Sequence, residues 1–232
     1  SVVVVNKAGA GGTIGAANVA GSPADGYTLF FAESSLLVAP HVYASPGFDL
    51  KSFTPIAAVG TLPCVLVRSP GFPAKNWAEL IPLLKTKPGQ FSYATGGIGS
   101  IPHLSGELFQ QLAGVKLLHV PYQGGGKLLT DVMSGEVPLA FISASPVLPL
   151  IRAGKLNLLA MTSANRVAYA PETPTVAEQF PGFATALSFF VLAPAGRPST
   201  VRDTLGAAVA QALKTKEVQD AFAVQGALLN AN

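Results

Sequence analysis

Tyr93-Ala94-Thr95-Gly96-Gly97-Ile98-Gly99-Ser100-Ile101-Pro102-His103-Leu104 passes from an apolar strand, through a glycine-rich turn, into a helix. The strand covers 91–94, and the helix runs from about Ser100 to Ala113 and stops at Gly114. A strand that feeds a helix through so short a loop is a building unit of α/β folds. The loop also carries chemistry. Its glycines let the backbone turn N–H groups inward, and the helix start adds unpaired donors and a partial positive charge. Thr95 and Ser100 add hydroxyls, each both donor and acceptor. With Gly96, Gly97, Ile98 and Gly99 they form a set suited to a carboxylate, with no metal ion and no cofactor required. The loop lacks the lysine of a phosphate-binding loop, which argues against a nucleotide. The plainer reading is a serine-capped helix after a flexible turn.

The same alternation continues in both directions. Strand candidates are 2–5, 27–32, 65–68, 91–94, 117–120, 139–142, 156–161 and 188–192. Several are continuous apolar runs, as expected of strands covered on both faces. Asn76-Trp77-Ala78-Glu79 is a capping-box pattern opening a helix toward Lys85 and Lys87. Further helices are expected over 127–134 and, with Ser145 as cap and Pro146 at the first position, up to Gly154. Val201, Leu205, Ala208, Val209, Ala212 and Leu213 form one apolar stripe at helical spacing. The expected class is α/β, with mainly parallel sheets flanked by helices.

In such sheets ligands bind beyond the carboxyl ends of strands. Three more strand-end segments therefore become candidates. Tyr122 and Gln123 lie in His119-Val120-Pro121-Tyr122-Gln123-Gly124-Gly125-Gly126, Ser143 and Ala144 follow the 139–142 run, and Ser34 and Ser35 follow 27–32. A fifth loop, Ala8-Gly9-Ala10-Gly11-Gly12-Thr13-Ile14-Gly15, invites a dinucleotide reading, with Glu33 as the ribose acid. The register fails, because a G-x-G-x-x-G from Gly9 needs glycine where Ile14 stands; only the relaxed Ala10, Gly12, Gly15 form fits. An NAD(P)-dependent oxidoreductase using 9–15 remains the alternative function. The plainer reading of that loop is a tight turn with a helix packed closely on the sheet.

Composition narrows the classes. The chain has 232 residues, 49% hydrophobic and 12% charged, which excludes intrinsic disorder. The longest uncharged stretch, 179–196, contains Pro181, Gly182, Pro194 and Gly196, so it is no clean membrane-spanning helix. A net charge of +3 without a basic stripe argues against nucleic acid. Cys64 is the one cysteine, which excludes an internal disulfide and a multi-thiolate metal site, and it reads as a small core residue. No G-x-S-x-G, H-E-x-x-H or Cys/His cluster is present, and His41, His103 and His119 are scattered. Of the three, His103 lies in the first helical turn beside the glycine-rich loop. Pockets of Gly, Ser, Thr and backbone amides suit recognition better than bond making, so no catalytic residue is assigned. The chain starts on Ser1 and a valine run, with no visible signal peptide.

Several segments together resemble one family. Asn6-Lys7-Ala8-Gly9-Ala10-Gly11-Gly12 and Asp25-Gly26-Tyr27-Thr28-Leu29 are similar to the N-R-P-G-A-G-G … P-D-G-Y-T-L pattern of tripartite tricarboxylate transporter substrate-binding proteins, the Bug receptors. Gly97-Ile98-Gly99-Ser100 with His103-Leu104, His119-Val120-Pro121-Tyr122-Gln123-Gly124, Arg152-Ala153-Gly154-Lys155-Leu156 and Pro174-Thr175-Val176-Ala177-Glu178 continue the match in order. The resemblance implies a two-lobed, type II periplasmic-binding-protein-like fold, with a first lobe of 1–70 and 190–232 and a second of 71–189. It implies a periplasmic, non-enzymatic receptor that closes on a small carboxylate and passes it to a membrane transporter of the tripartite tricarboxylate type. The ligand would be a di- or tricarboxylate, an acidic amino acid or an aromatic acid. No nucleic acid partner is implied, and the chain is expected to act as a monomer. Within the family, one loop of each lobe grips the carboxylate. The second-lobe loop corresponds to Thr95 through Ser100, whereas the first-lobe loop lies upstream of this chain. The chain is therefore expected to be truncated at both ends. Gln123 stands where the family commonly has lysine, and Arg197 where it commonly has threonine.

Overall fold

The computed structural model describes residues 2–7, 9–123, 125–196 and 198–230. Ala8, Gly124 and Arg197, singled out above, lie outside the described residues. In chain order the elements are α1 (Thr13–Ala20), β1 (Phe30–Glu33), α2 (Ser35–Val42), β2 (Phe53–Arg68), α3 (Trp77–Thr86) and β3 (Ser92–Thr95). Then come α4 (Ile101–Ala113), β4 (Leu118–Pro121), α5 (Gly125–Ser134), β5 (Leu139–Ser143), α6 (Ala144–Arg152) and β6 (Asn157–Met161). The last are α7 (Val176–Gln179), β7 (Ala186–Pro194), α8 (Ser199–Leu213), α9 (Lys216–Val224) and β8 (Leu228–Leu229). The chain divides into two compact units, Ser1–Thr61 with Ser188–Asn232, and Leu62–Leu187.

In the second unit the strand order is β6-β2-β5-β3-β4. Strands β4, β3 and β5 run parallel, and β2 is antiparallel to both β5 and β6. The α/β class holds, with a mixed sheet. Leu66, Tyr93, Leu139 and Phe141 from the strands meet Leu80 and Leu84 of α3 and Phe109 of α4 in the core. Leu80 and Leu84 stand one turn apart and are fully buried. Each such side chain contributes about 2 kcal/mol of transfer free energy. Cys64 is fully buried, as its apolar neighbours require.

The first unit pairs β1 antiparallel with β7, places β7 next to β2, and adds β8 to β2. Its core gathers Ala16 and Val19 of α1, Ala32, Leu36, Phe53 and Leu192. Among the described residues no helix is long and apolar enough to cross a membrane.

Three expectations need correction. Residues 2–5 form no strand, and Val2, Val3, Val4 and Val5 are 90, 82, 81 and 68% exposed. β-branched residues favour extended backbone, but a strand needs a ladder partner, and no described strand pairs with this run. The helix after β5 starts at Ala144, with Ser143 rather than Ser145 at its N-cap position and no side-chain capping bond from it, so Pro146 falls inside the first turn and not at the first position. The stripe of α8 exists, with Val201, Leu205, Val209 and Leu213 half-buried, but Ala208 and Ala212 are exposed and no residue of that helix is buried.

Candidate functional site

The parallel register sets the geometry. Thr95 stands opposite Pro121, and Ala94 is paired with Val120 on one side and Ala140 on the other. The segments leaving β3, β4 and β5 therefore emerge at one edge of the second unit's sheet. Each leads straight into a helix: α4 from its cap Ser100, α5 from Gly125, and α6 from its cap Ser143. Three helix N-termini, each with a partial positive charge, share this edge.

The glycine-rich loop is held by its own bonds. Ser100 Oγ donates to Gly97 O at 2.7 Å and accepts from His103 N at 3.3 Å, closing the helix cap. Gly97 N donates to Thr95 Oγ1 at 3.3 Å, and Gly99 N donates to His103 Nδ1 at 3.2 Å. Gly97 and Gly99 have φ of 140° and 79°, which side-chained residues rarely adopt. Gly96 and Ile98 face outward, Ile98 being 54% exposed. A Cβ on Gly97 would lie 3.5 Å from Tyr122 O, so the loops after β3 and β4 run side by side.

Beneath the loop lies a cluster that sequence reasoning missed. Thr95 is fully buried, and its Oγ1 lies 2.7 Å from His119 Nε2. The His119 ring stacks on Tyr93 at 5.0 Å and on His103 at 4.2 Å. The Tyr93 phenol donates to Glu107 Oε1 and is pushed up by burial and by that bond. His119 is pushed down to about 4, chiefly by burial and then by the neighbouring His103, with Glu107 opposing. At neutral pH its imidazole is uncharged. The signal available in the sequence was positional: Tyr93 and His119 sit at matching distances from the ends of adjacent parallel strands.

The other candidates fall as follows. The Tyr122 phenol donates to Asp131 Oδ2 at 2.7 Å, where Lys127 Nζ also binds at 2.6 Å. Burial and this bond push Tyr122 up to about 12. Gln123 is exposed, Ser143 is half-buried and Ala144 is fully buried. Ser34 and Ser35 belong to the first unit. Ser34 Oγ accepts from Ser188 N at 3.1 Å, and Ser35 N donates to Glu33 Oε1 at 3.0 Å. Glu33, the imagined ribose acid, caps its own loop in this way, and burial raises its pKa. Gly12 precedes α1 with a φ of 90°, and a Cβ on Gly15 would approach Lys7 O at 3.5 Å and the Phe30 ring at 3.7 Å. Those glycines serve a turn and close packing.

Residues 1–227 match the family described as the tripartite tricarboxylate transporter family receptor. The chain belongs to this family. It is 38% identical to Protein BugT of Bordetella pertussis over 230 residues, covering 97% of this chain and 71% of BugT. A solved R. palustris protein, Rpa4515 with adipate, is 33% identical with a TM-score of 0.92, covering 99% of this chain and 78% of that one. MatC from Rhodopseudomonas palustris, solved with bound malate, is 28% identical with a TM-score of 0.84, covering 96% of this chain and 77% of that one. These relatives are binding proteins of the receptor type, not enzymes, and the oxidoreductase reading of the 9–15 loop is set aside.

Proposed function

We propose that this chain is an extracytoplasmic, periplasmic receptor that binds a small carboxylate and delivers it to a tripartite tricarboxylate-type membrane transporter. The observation that carries this reading is the shared edge of β3, β4 and β5, where three helix N-termini and a glycine-rich loop meet. Such an edge favours an anion through backbone dipoles alone. The relatives solved with adipate and malate support a carboxylate. In this reading Gly96, Gly97, Ile98, Gly99 and Ser100 approach the ligand, Thr95 supports them from below, and Gln123, Tyr122, Ser143 and Ala144 border it.

Calorimetry with a panel of mono-, di- and tricarboxylates, adipate and malate among them, tests it. One member should bind saturably at one site. The double variant Thr95→Ala with Ser100→Ala should weaken it about tenfold or more, the scale expected when hydrogen bonds that set a buried loop are lost. A panel without any saturable member overturns the reading. Unchanged affinity in the double variant removes this loop from the site.

A further inference from the structure

Two imidazoles underlie the loop, and each holds one of its glycine amides. His103 does so directly, its Nδ1 accepting from Gly99 N at 3.2 Å. His119 does so through Thr95, whose Oγ1 lies 2.7 Å from Nε2 and accepts from Gly97 N at 3.3 Å. The two rings come from α4 and β4 and stack at 4.2 Å with an interplanar angle of 25°. The held glycines are the two with positive φ, so the loop adopts a conformation that its own backbone does not impose.

The chemistry of the contacts sets the protonation state. A ring nitrogen that accepts a hydrogen bond carries no proton, so His103 bears its proton on Nε2, 3.9 Å from Glu107 Oε1. An imidazolium at this nitrogen would lose the Gly99 bond, and two stacked imidazolium ions would repel each other. The titratable groups facing the pair are Tyr93 from β3 and Glu107 from α4, which are bonded to each other. On α5, Lys127 and Asp131 are likewise paired with each other.

We propose that His103 and His119 are positioning residues, a stacked imidazole pair that sets the backbone of the 96–100 loop for a ligand carboxylate. The ligand part of this statement rests on the function proposed above; the loop-setting part stands on the geometry alone.

The test combines amide hydrogen exchange by NMR with calorimetric titration of adipate and of malate. His103→Leu should speed exchange at Gly99, and His119→Leu at Gly97. Each is expected to change by about tenfold, with a comparable loss of affinity, because Gly99 N loses its acceptor and Thr95 Oγ1, the acceptor of Gly97 N, loses the ring nitrogen that fixes it. His103→Asn places a carbonyl oxygen near the Nδ1 position, and His119→Gln places an amide near Nε2. Both should return exchange to within about threefold of the parent, since the bond is remade. Leucine variants with parental exchange and affinity overturn the proposal, as do folded Asn and Gln variants that restore nothing. Should the leucine variants unfold, the Asn and Gln variants still decide. If neither adipate nor malate binds the parent chain, the affinity arm bears on the receptor reading, while the exchange arm still decides whether the imidazoles set the loop.

Discussion

Gly106 sits inside α4, where glycine costs about 1 kcal/mol relative to alanine. Propensity alone therefore recommends Gly106→Ala as a stabilising change. Packing argues the opposite. A Cβ at this position would lie 2.7 Å from Tyr93 Cζ and closer still to Cε2. That ring is fully buried, its hydroxyl is tied to Glu107, and Phe141 meets it edge-on at 5.8 Å, so it has little room to retreat. Overpacking of a core costs about 1–3 kcal/mol, more than the helix gains. Gly106→Ala should lower the thermal midpoint, and a midpoint equal to or above the parent's would show that the ring moves aside. Tyr93 also illustrates what one residue type conceals in a sequence. The loop glycines and the Ser100 cap were legible because their roles are local. The partner of Thr95 was not, because His119 lies 24 residues away and meets it only through strand pairing.

At the scale of elements, legibility followed the range of the forces involved. Asn76 and Glu79 announced the start of α3, and the structure places Asn76 Oδ1 3.0 Å from Glu79 N. Glu79 reaches back to Lys75 N at 2.8 Å, one residue earlier than the usual box, while Asn76 Nδ2 donates to its other oxygen at 2.9 Å. Asn76→Ala should cost about 1 kcal/mol, read as a lower urea midpoint with an unchanged slope, and Asn76→Ser, which keeps an oxygen for Glu79 N, should keep most of the stability. An alanine variant as stable as the parent would mean that Glu79 alone closes this end. Strand β2 was harder to read. Only 65–68 looked like a strand, yet the element begins at Phe53 and runs through Pro55, Gly60 and Pro63. Those residues normally interrupt strands. A Cβ on Gly60 would lie 3.0 Å from Leu229 Cα, so glycine here lets β8 pair closely, a reason visible only with both strands in place. The 2–5 run failed in the other direction, with high propensity and no described partner.

For the molecule as a whole, scarce charge becomes a statement about binding. The chain carries 15 lysines and arginines against 12 acids, and none of the 15 falls in 95–100, 122–123 or 143–144. Lys127, the basic residue nearest in sequence to the 122–123 segment, already binds Asp131 at 2.6 Å, and Arg68 lies at the far end of the sheet, paired with Leu139 at the start of β5. A carboxylate bound at the shared edge would therefore be met by amides, hydroxyls and helix dipoles at contact distance. Between about 0.1 M and about 1 M salt the Debye length falls from about 10 Å to about 3 Å, which weakens exposed charge pairs and leaves partly buried short contacts largely intact. The affinity for the carboxylate selected by the panel should then change by less than about threefold over that range in calorimetric titrations. A loss of tenfold or more would show that a cationic side chain grips the ligand.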